Sequence, residues 1–544
     1  MSTASTSETE RPATKLQNPQ FDGTEPRESG ADSYAKGQSA AEGAYNTLVI
    51  SDLHLGEDLS PSAGEANTLH IDIVERQLIS FLRYYARRRE DGRPWRLIVN
   101  GDMVDFVSIA IFPDHPDFVG HKATVEEQEF GLRRSPSVAI AKMQAVVKRH
   151  LGVFRAMARF LSRGNEVKII SGNHDTEFHW KGTQDAFCEG LATAWKGMSE
   201  SKRPGALSSE EIVVGVAFHP WFFSEPGVLW VEHGHQYDEC CSLRYQLYPR
   251  KPDSNEIVTN VDSAGVRFVT SYVAEAEAQN MDLWSMSGYV RFGIGLGLRG
   301  CMRLGFGYYS FAKTLLTVWR AESKRGPAGR KVRDAHEKRL AAMAETWDMP
   351  LAQINKLSDL SRKPVVNQFG KLASVLMIDK LAFWGLGIFV ALFSLLVFSG
   401  ALALLGVVFG IVAGGGLSLW SSRGREVDAT ATMELNSERI LDIVGAKFVT
   451  FGHTHEPVSR QLDNGSWYFN TGTWVPTGKP GLLRCFTHLV VHHRDSGPEA
   501  QLCQWRDGAS RAFTPGWRAG TLEAAPHLIH AGSRETGLIQ PLSE

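Results

Sequence analysis

Residues 46–56 read Asn-Thr-Leu-Val-Ile-Ser-Asp52-Leu-His54-Leu-Gly, a β-branched apolar run that stops on an Asp-x-His pair. A run of this length and composition is a buried strand, so the pair sits just beyond a strand end. The pattern recurs. Residues 95–100 lead into Gly101-Asp102-Met-Val-Asp105, and 167–171 into Gly172-Asn173-His174-Asp175. Residues 228–232 precede His233-Gly-His235, and 446–451 precede Gly452-His453-Thr-His455. Open α/β sheets gather their ligand sites beyond the carboxyl ends of parallel strands. The fold class expected is therefore α/β, with two sheets covered by helices. One such block means little, since an Asp-x-His or a lone His arises by chance. Five in succession carry enough oxygen and imidazole donors for two neighbouring divalent ions.

Working outward, helices are expected over 71–89 and 137–163, and further strands over 466–470, 483–492 and 500–505. The stretch from 237 to 379 reads as mostly helical and contains no donor block. Between Leu381 and Ser422 there is no charged residue. A bilayer crossing takes about 20 apolar residues per helix, so two crossings fit, with the turn at Ser399-Gly400. A soluble core helix would show a polar face, and this stretch shows none. Donor blocks lie on both sides of it, so a single site needs an even number of crossings. Lys363, Lys371 and Lys380 before it, and Arg423 and Arg425 after it, place both ends in the cytoplasm. Gly406, Gly410 and Gly414 form a doubled GxxxG, suited to close approach of the first hairpin helix or of a second subunit. Residues 288–319 mix aromatics with Arg291, Arg299, Arg303 and Lys313, as an interfacial helix or as a cap over the site.

Composition bounds the rest. At 544 residues the chain exceeds one ordinary core. The net charge of −2 provides no global basic field, which disfavours a nucleic-acid partner. Six cysteines without a CxxC pair suit reduced structural thiols. Residues 1–44 are Ser/Thr/Glu/Gly-rich, which predicts a disordered tail without a secretory signal. The division expected is tail 1–44, first donor-bearing part 45–240, helical insertion 241–380, hairpin 381–422, second donor-bearing part 430–515 and tail 516–544.

In that order the blocks SDLHLG, NGDMVDF, SGNHD, EHGH and FGHTH resemble the signature of the calcineurin-like metallophosphoesterases, over residues 46–240 and 435–510. The resemblance implies a two-sheet sandwich flanked by helices, here with the insertion and transmembrane hairpin added. It implies two divalent metal ions, of Mn, Fe or Zn type. Asp52, His54 and His455 would hold one, Asn173, His233 and His453 the other, and Asp102 both. A shared activated water would attack phosphorus in line. His174 would protonate the leaving oxygen, with Asp105 and Asp175 orienting neighbours. His235 is open between contacting substrate, orienting a ligand and replacing His233. The expected function is a membrane-anchored, cytoplasm-facing hydrolase of a phosphate ester or pyrophosphate, with a lipid-linked substrate within its scope. The SDLHL and HGH blocks also look like those of UDP-diacylglucosamine pyrophosphatases, although GNHD and HGH stand where those enzymes have GNRD and HGD. A metal-bound scaffold for protein partners is the alternative from another class.

Overall fold

The computed structural model describes residues 45–61, 63, 65–268, 286–323, 327–376, 378–421, 429–476 and 484–513. Both expected tails lie outside the described residues.

Each β-branched run that ends in a donor block forms a strand. β1 (Asn46–Ile50), β2 (Trp95–Asn100), β3 (Glu166–Ile170) and β4 (Val216–His219) pair in parallel. β10 (Thr487–Arg494) lies antiparallel to β1, followed by β11 (Gly497–Arg506) and β12 (Ala509–Ala512). The resulting seven-stranded sheet runs β12-β11-β10-β1-β2-β3-β4. The second sheet takes β5 (Phe222–Glu225), β6 (Leu229–Glu232), β7 (Phe448–Phe451), β8 (Pro457–Gln461) and β9 (Trp467–Thr471) in the order β5-β6-β7-β9-β8. Its central strands β6, β7 and β9 are parallel, so residues from before and after the apolar stretch share one sheet.

The two-residue period of each strand sorts its side chains between layers. Val49, Ile98 and Ile170 of the first sheet meet Leu229, Val231, Phe448 and Phe469 of the second. The residues beside them, Leu48, Ile50, Leu97, Val99 and Ile169, face the other way onto helices that include Glu65–Ala86 and Leu151–Leu161. On the outer face of the second sheet, Trp230, Val449, Phe451 and Tyr468 pack under Met433 and Ile440 of the helix Ala429–Val444. The molecule is thus layered helix, sheet, sheet, helix. Leu340 and Met343 of Pro327–Thr346 and Ile354 of Leu351–Ser358 belong to that same outer layer. Part of the expected insertion is therefore core covering of the second sheet.

The helix expected over 137–163 is two helices, Pro136–Arg149 and Leu151–Leu161, which meet at His150. His150 leaves helical geometry there and brings Nδ1 within 3.0 Å of Glu75 Oε2. The rest of the insertion builds a smaller core. Phe311, Leu315 and Val318 of the helix Met286–Ser323 pack with Phe130, Phe268 and Leu372, whereas Leu298, Met302 and Tyr309 on the same helix are exposed.

The charge-free stretch folds as two helices, Ile378–Val397 and Gly400–Ser421, turning at Phe398-Ser399 with Gly400 at φ +58°. They run antiparallel in close contact. A Cβ on Gly410 would come within 2.4 Å of the Gly387 carbonyl oxygen, and one on Gly406 within 2.1 Å of Ser394 Oγ. The glycine stripe therefore closes on the first helix of the hairpin. The other faces, including Leu386, Phe389, Leu396, Leu405 and Phe409, are exposed. Gly400–Ser418 is long and apolar enough to cross a membrane, and Ala382–Val397 is a shorter apolar helix.

Candidate metal centre

Asp52 and His54 follow β1, Asp102 and Asp105 follow β2, Asn173 to Asp175 follow β3, His233 follows β6, and His453 and His455 follow β7. The structure brings all ten together. Asp52 Oδ1 lies 3.2 Å from His455 Nε2, and the Asp52, His54 and His455 donor atoms lie within 4.8 Å of one another. Asp52, Asp102 and His233 form a second such group. Asp102 Oδ2 is 3.2 Å from His233 Nε2 and 3.9 Å from His54 Nε2, so this carboxylate stands between the two sets.

The chain reaches this arrangement by bending its backbone. Asp52, His54, Asp102, His453 and His455 all have φ between +47° and +68°. Residues other than glycine enter this left-handed region at a cost of about 1–3 kcal/mol each, and such costs concentrate at functional sites. Glycines supply the clearance. A Cβ on Gly172 would lie 2.2 Å from Asp102 Oδ1, and one on Gly101, itself at φ +78°, would lie 2.3 Å from His233 Nδ1.

Hydrogen bonds set which atoms face inward. His233 Nδ1–H donates to the Asn100 carbonyl (2.8 Å), which leaves Nε2 of the neutral ring as an acceptor. Asn173 Nδ2 donates to Asp262 Oδ2 (3.3 Å), which turns Asn173 Oδ1 to within 3.2 Å of His233 Nε2. Nε2 thus faces two acceptor oxygens, Asn173 Oδ1 and Asp102 Oδ2, each at 3.2 Å, an arrangement that a metal ion or a proton on Nε2 satisfies. Burial opposes the charged ring, but Asp102 outweighs it and His233 is pushed up to about 9. On the other side, His54 Nε2 is buried without a hydrogen bond. His453 Nε2 faces Asp238 Oδ2 (3.2 Å), and its ring packs edge-on to His233 at 5.4 Å between centroids. These His and Asp groups could hold a metal ion through nitrogen and oxygen donors.

His54, Asp105 and His174 form a further donor group, in which the His174 ring packs edge-on to His54 at 4.7 Å between centroids. The His174 Nδ1–H donates to Asp105 Oδ1 (2.8 Å), and Asp105 is held in turn by Ser108 N (3.0 Å) and Oγ (2.6 Å). Burial disfavours the imidazolium, but Asp105 and Asp102 override that and hold its pKa well above the ordinary histidine range. Asp175 accepts from Gly172 N (2.6 Å) and Met103 N (2.8 Å), which ties the second and third motif loops together. Burial, with Asp102 adding to it, raises the Asp175 carboxyl to about 7. His235 is buried beside His233, its ring centroid 5.4 Å away, and Gln236 Nε2 donates to its Nε2 (2.8 Å).

Three residues at the site carry no sequence signal of the kind used above. Asp262 comes from the helix Val261–Phe268 and also lies 3.6 Å from His174 Nε2. Asp238 and Cys241 form a donor group with His453, although burial keeps the Cys241 thiol well above its usual range and therefore protonated. Together with Ala429, Thr430 and Thr454, these residues line an open cleft of about 440 Å³ over Asp102, Asn173 and His174. A comparison with protein-family models and with curated proteins found no match.

Proposed function

We propose that this chain is a membrane-tethered, metal-dependent phosphoesterase of the calcineurin-like kind, hydrolysing a phosphate ester or pyrophosphate. The observation that carries this reading is the position of Asp102, a buried carboxylate with a donor set on each side of it. Asp52, His54 and His455 would hold one ion, Asn173, His233 and His453 a second, and Asp102 both. Two divalent ions in such a site neutralise charge on a phosphoryl group and make water nucleophilic near neutral pH.

The protein's own groups do the rest. His174 holds a proton on Nε2 at the cleft surface, with its ring fixed through Nδ1 by Asp105, and is placed to give that proton to a leaving oxygen. Asp238 orients His453, and Asp262 orients Asn173, as partners behind metal ligands do. Asp175 keeps the loops bearing Asp102 and Asn173 in register.

The hairpin is the tether in this reading. Its second helix, at about 1.5 Å per residue, is about 33 Å long, which matches a hydrocarbon core of about 30 Å. Two crossings keep β6 and β7 on one side, and basic residues on both flanks put that side in the cytoplasm.

The test is Asp102→Ala. Purified variant and wild type are compared for bound metal by elemental analysis, and for hydrolysis of a chromogenic phosphodiester with Mn, Zn or Fe. Loss of metal together with turnover at least about a hundredfold lower is expected. A variant that keeps full activity overturns the two-metal reading.

A further inference from the structure

The segment before the apolar hairpin is fastened to the loop that carries the site, and the helix that follows the hairpin begins at the same cleft. Before the hairpin, Arg362 N donates to Gln236 O (2.8 Å) and Val365 N to Glu239 O (2.8 Å), with Lys371 paired to Glu239. Glu239 is next to Asp238, the carboxylate that faces His453. After the hairpin, the helix Ala429–Val444 begins in the cleft wall, where Ala429 and Thr430 line the same space as His174, His453 and His455. The feet also touch each other, since Arg362 Nη2 reaches Thr432 Oγ1 (3.4 Å) and Asn436 Nδ2 reaches the Leu360 carbonyl (3.4 Å). Met433, one turn into that helix, seats against Gly234 between His233 and His235, where an added Cβ would lie 2.8 Å from its Cε.

A plain anchor needs none of this. A hairpin that only tethers can hang from any surface loop, and a flexible linker serves it best. Here, the described segments on either side of the membrane-length helices border one cleft and are hydrogen-bonded to its loop and to each other. A further apolar surface adjoins the same foot. The hydroxyl of Tyr308 donates to the Leu376 carbonyl just before the hairpin, and the exposed Leu298, Met302 and Tyr309 lie on that helix.

We infer that the substrate is an amphiphile embedded in the bilayer, its phosphate presented to the cleft at the membrane surface by the hairpin feet. This rests on the phosphoesterase reading and narrows its substrate class. The reaction is a hydrolysis. A water oxygen forms a new bond to phosphorus, the ester P–O bond breaks, and a proton passes to the leaving oxygen, with no other reactant consumed. The apolar part of the molecule stays in the bilayer while the headgroup enters the cleft.

Two probes with one reacting centre test this. Full-length protein with Mn is reconstituted in phosphatidylcholine vesicles. It is offered hexadecyl 4-methylumbelliferyl phosphate in the same vesicles, or ethyl 4-methylumbelliferyl phosphate in solution. A variant carries flexible Gly/Ser spacers at both hairpin feet, one between Leu376 and Ile378 and one between Ser421 and Ala429. It stays anchored, with slack added between the hairpin and the cleft-bordering segments. Hexadecyl-ester turnover is expected to fall about tenfold or more in the spacer variant, through lost orientation and effective concentration. Ethyl-ester turnover should stay within about twofold, which also shows that the variant is folded. Equal effects on the two probes, or no effect on either, would reduce the hairpin to an anchor and overturn the inference. If wild type hydrolyses neither probe with Mn, Zn or Fe, this inference fails, and the phosphoesterase reading fails as well if a phosphomonoester and a pyrophosphate are also left intact.

Discussion

At the scale of single residues, the site trades backbone ease for converging donors. Five of its proposed ligands are non-glycine residues with left-handed φ, and although Asp and His enter that region more often than most residues, it still costs them strain. His455 allows the cost to be read. Its φ is +57° and its side chain is 41 % exposed, so truncation there removes little packing. In excess chelator, where metal contributes nothing, His455→Gly should be more stable than His455→Ala by about 1 kcal/mol, because only glycine enters this region freely. Urea unfolding of the two variants measures the difference. Equal midpoints would mean that the loop relaxes to an ordinary conformation without its ligand. The glycines of the motifs follow the same logic from the other side, since Gly172 and Gly101 are needed for the room that Asp102 and His233 take.

At the scale of elements, the strands and the donor blocks at their ends were legible because both signals are local. β-branched runs such as 46–50 and 95–100 need no tertiary context, and the blocks sit directly after them. The break at His150 was not legible, because it depends on a contact with Glu75 from another helix. Nor was the use of residues 327–358 as the outer cover of the second sheet. An apolar face on a helix shows that it packs, but not against what. Asp262 was hidden for the same reason, being carried on a short helix within a stretch without motifs. Its bond to Asn173 Nδ2 is what turns Asn173 Oδ1 toward His233. Asp262→Ala should therefore weaken metal binding about 10- to 100-fold, the usual consequence of losing a partner behind a ligand. Titrating Zn into chelator-stripped protein, followed calorimetrically, measures it. An unchanged affinity would show that Asn173 is oriented by something else.

At the scale of the whole molecule, the apolar stretch and the scattered donors constrain one another, because β6 and β7 are neighbours in one sheet although the hairpin separates them in sequence. Stability is the other whole-molecule property that can be read from named groups. Among the described histidines outside the site, His488 and His219 are two that resist protonation. His488 is fully buried beside Phe81, and its Nε2 accepts from Ser510 Oγ (2.7 Å). Burial pushes it down to about 3. His219, near Phe223 and Trp347, is pushed down to about 3 by burial and by the charges of Lys168 and Arg96. In the unfolded chain both titrate near their ordinary value of about 6.5. Between about 6.5 and about 3 the unfolded state therefore binds more protons than the folded one. The contribution to stability is complete above the upper limit and is lost as pH falls, by about 1.4 kcal/mol per pH unit for each histidine. His488→Gln can still accept from Ser510 but does not titrate, so its acid slope should be shallower by about that amount. Urea midpoints measured from pH 7 to pH 4 in excess chelator isolate this effect from metal release, since the ligand histidines are common to both proteins. Parallel slopes in wild type and variant would mean that His488 gains a proton in the folded protein as readily as in the unfolded chain.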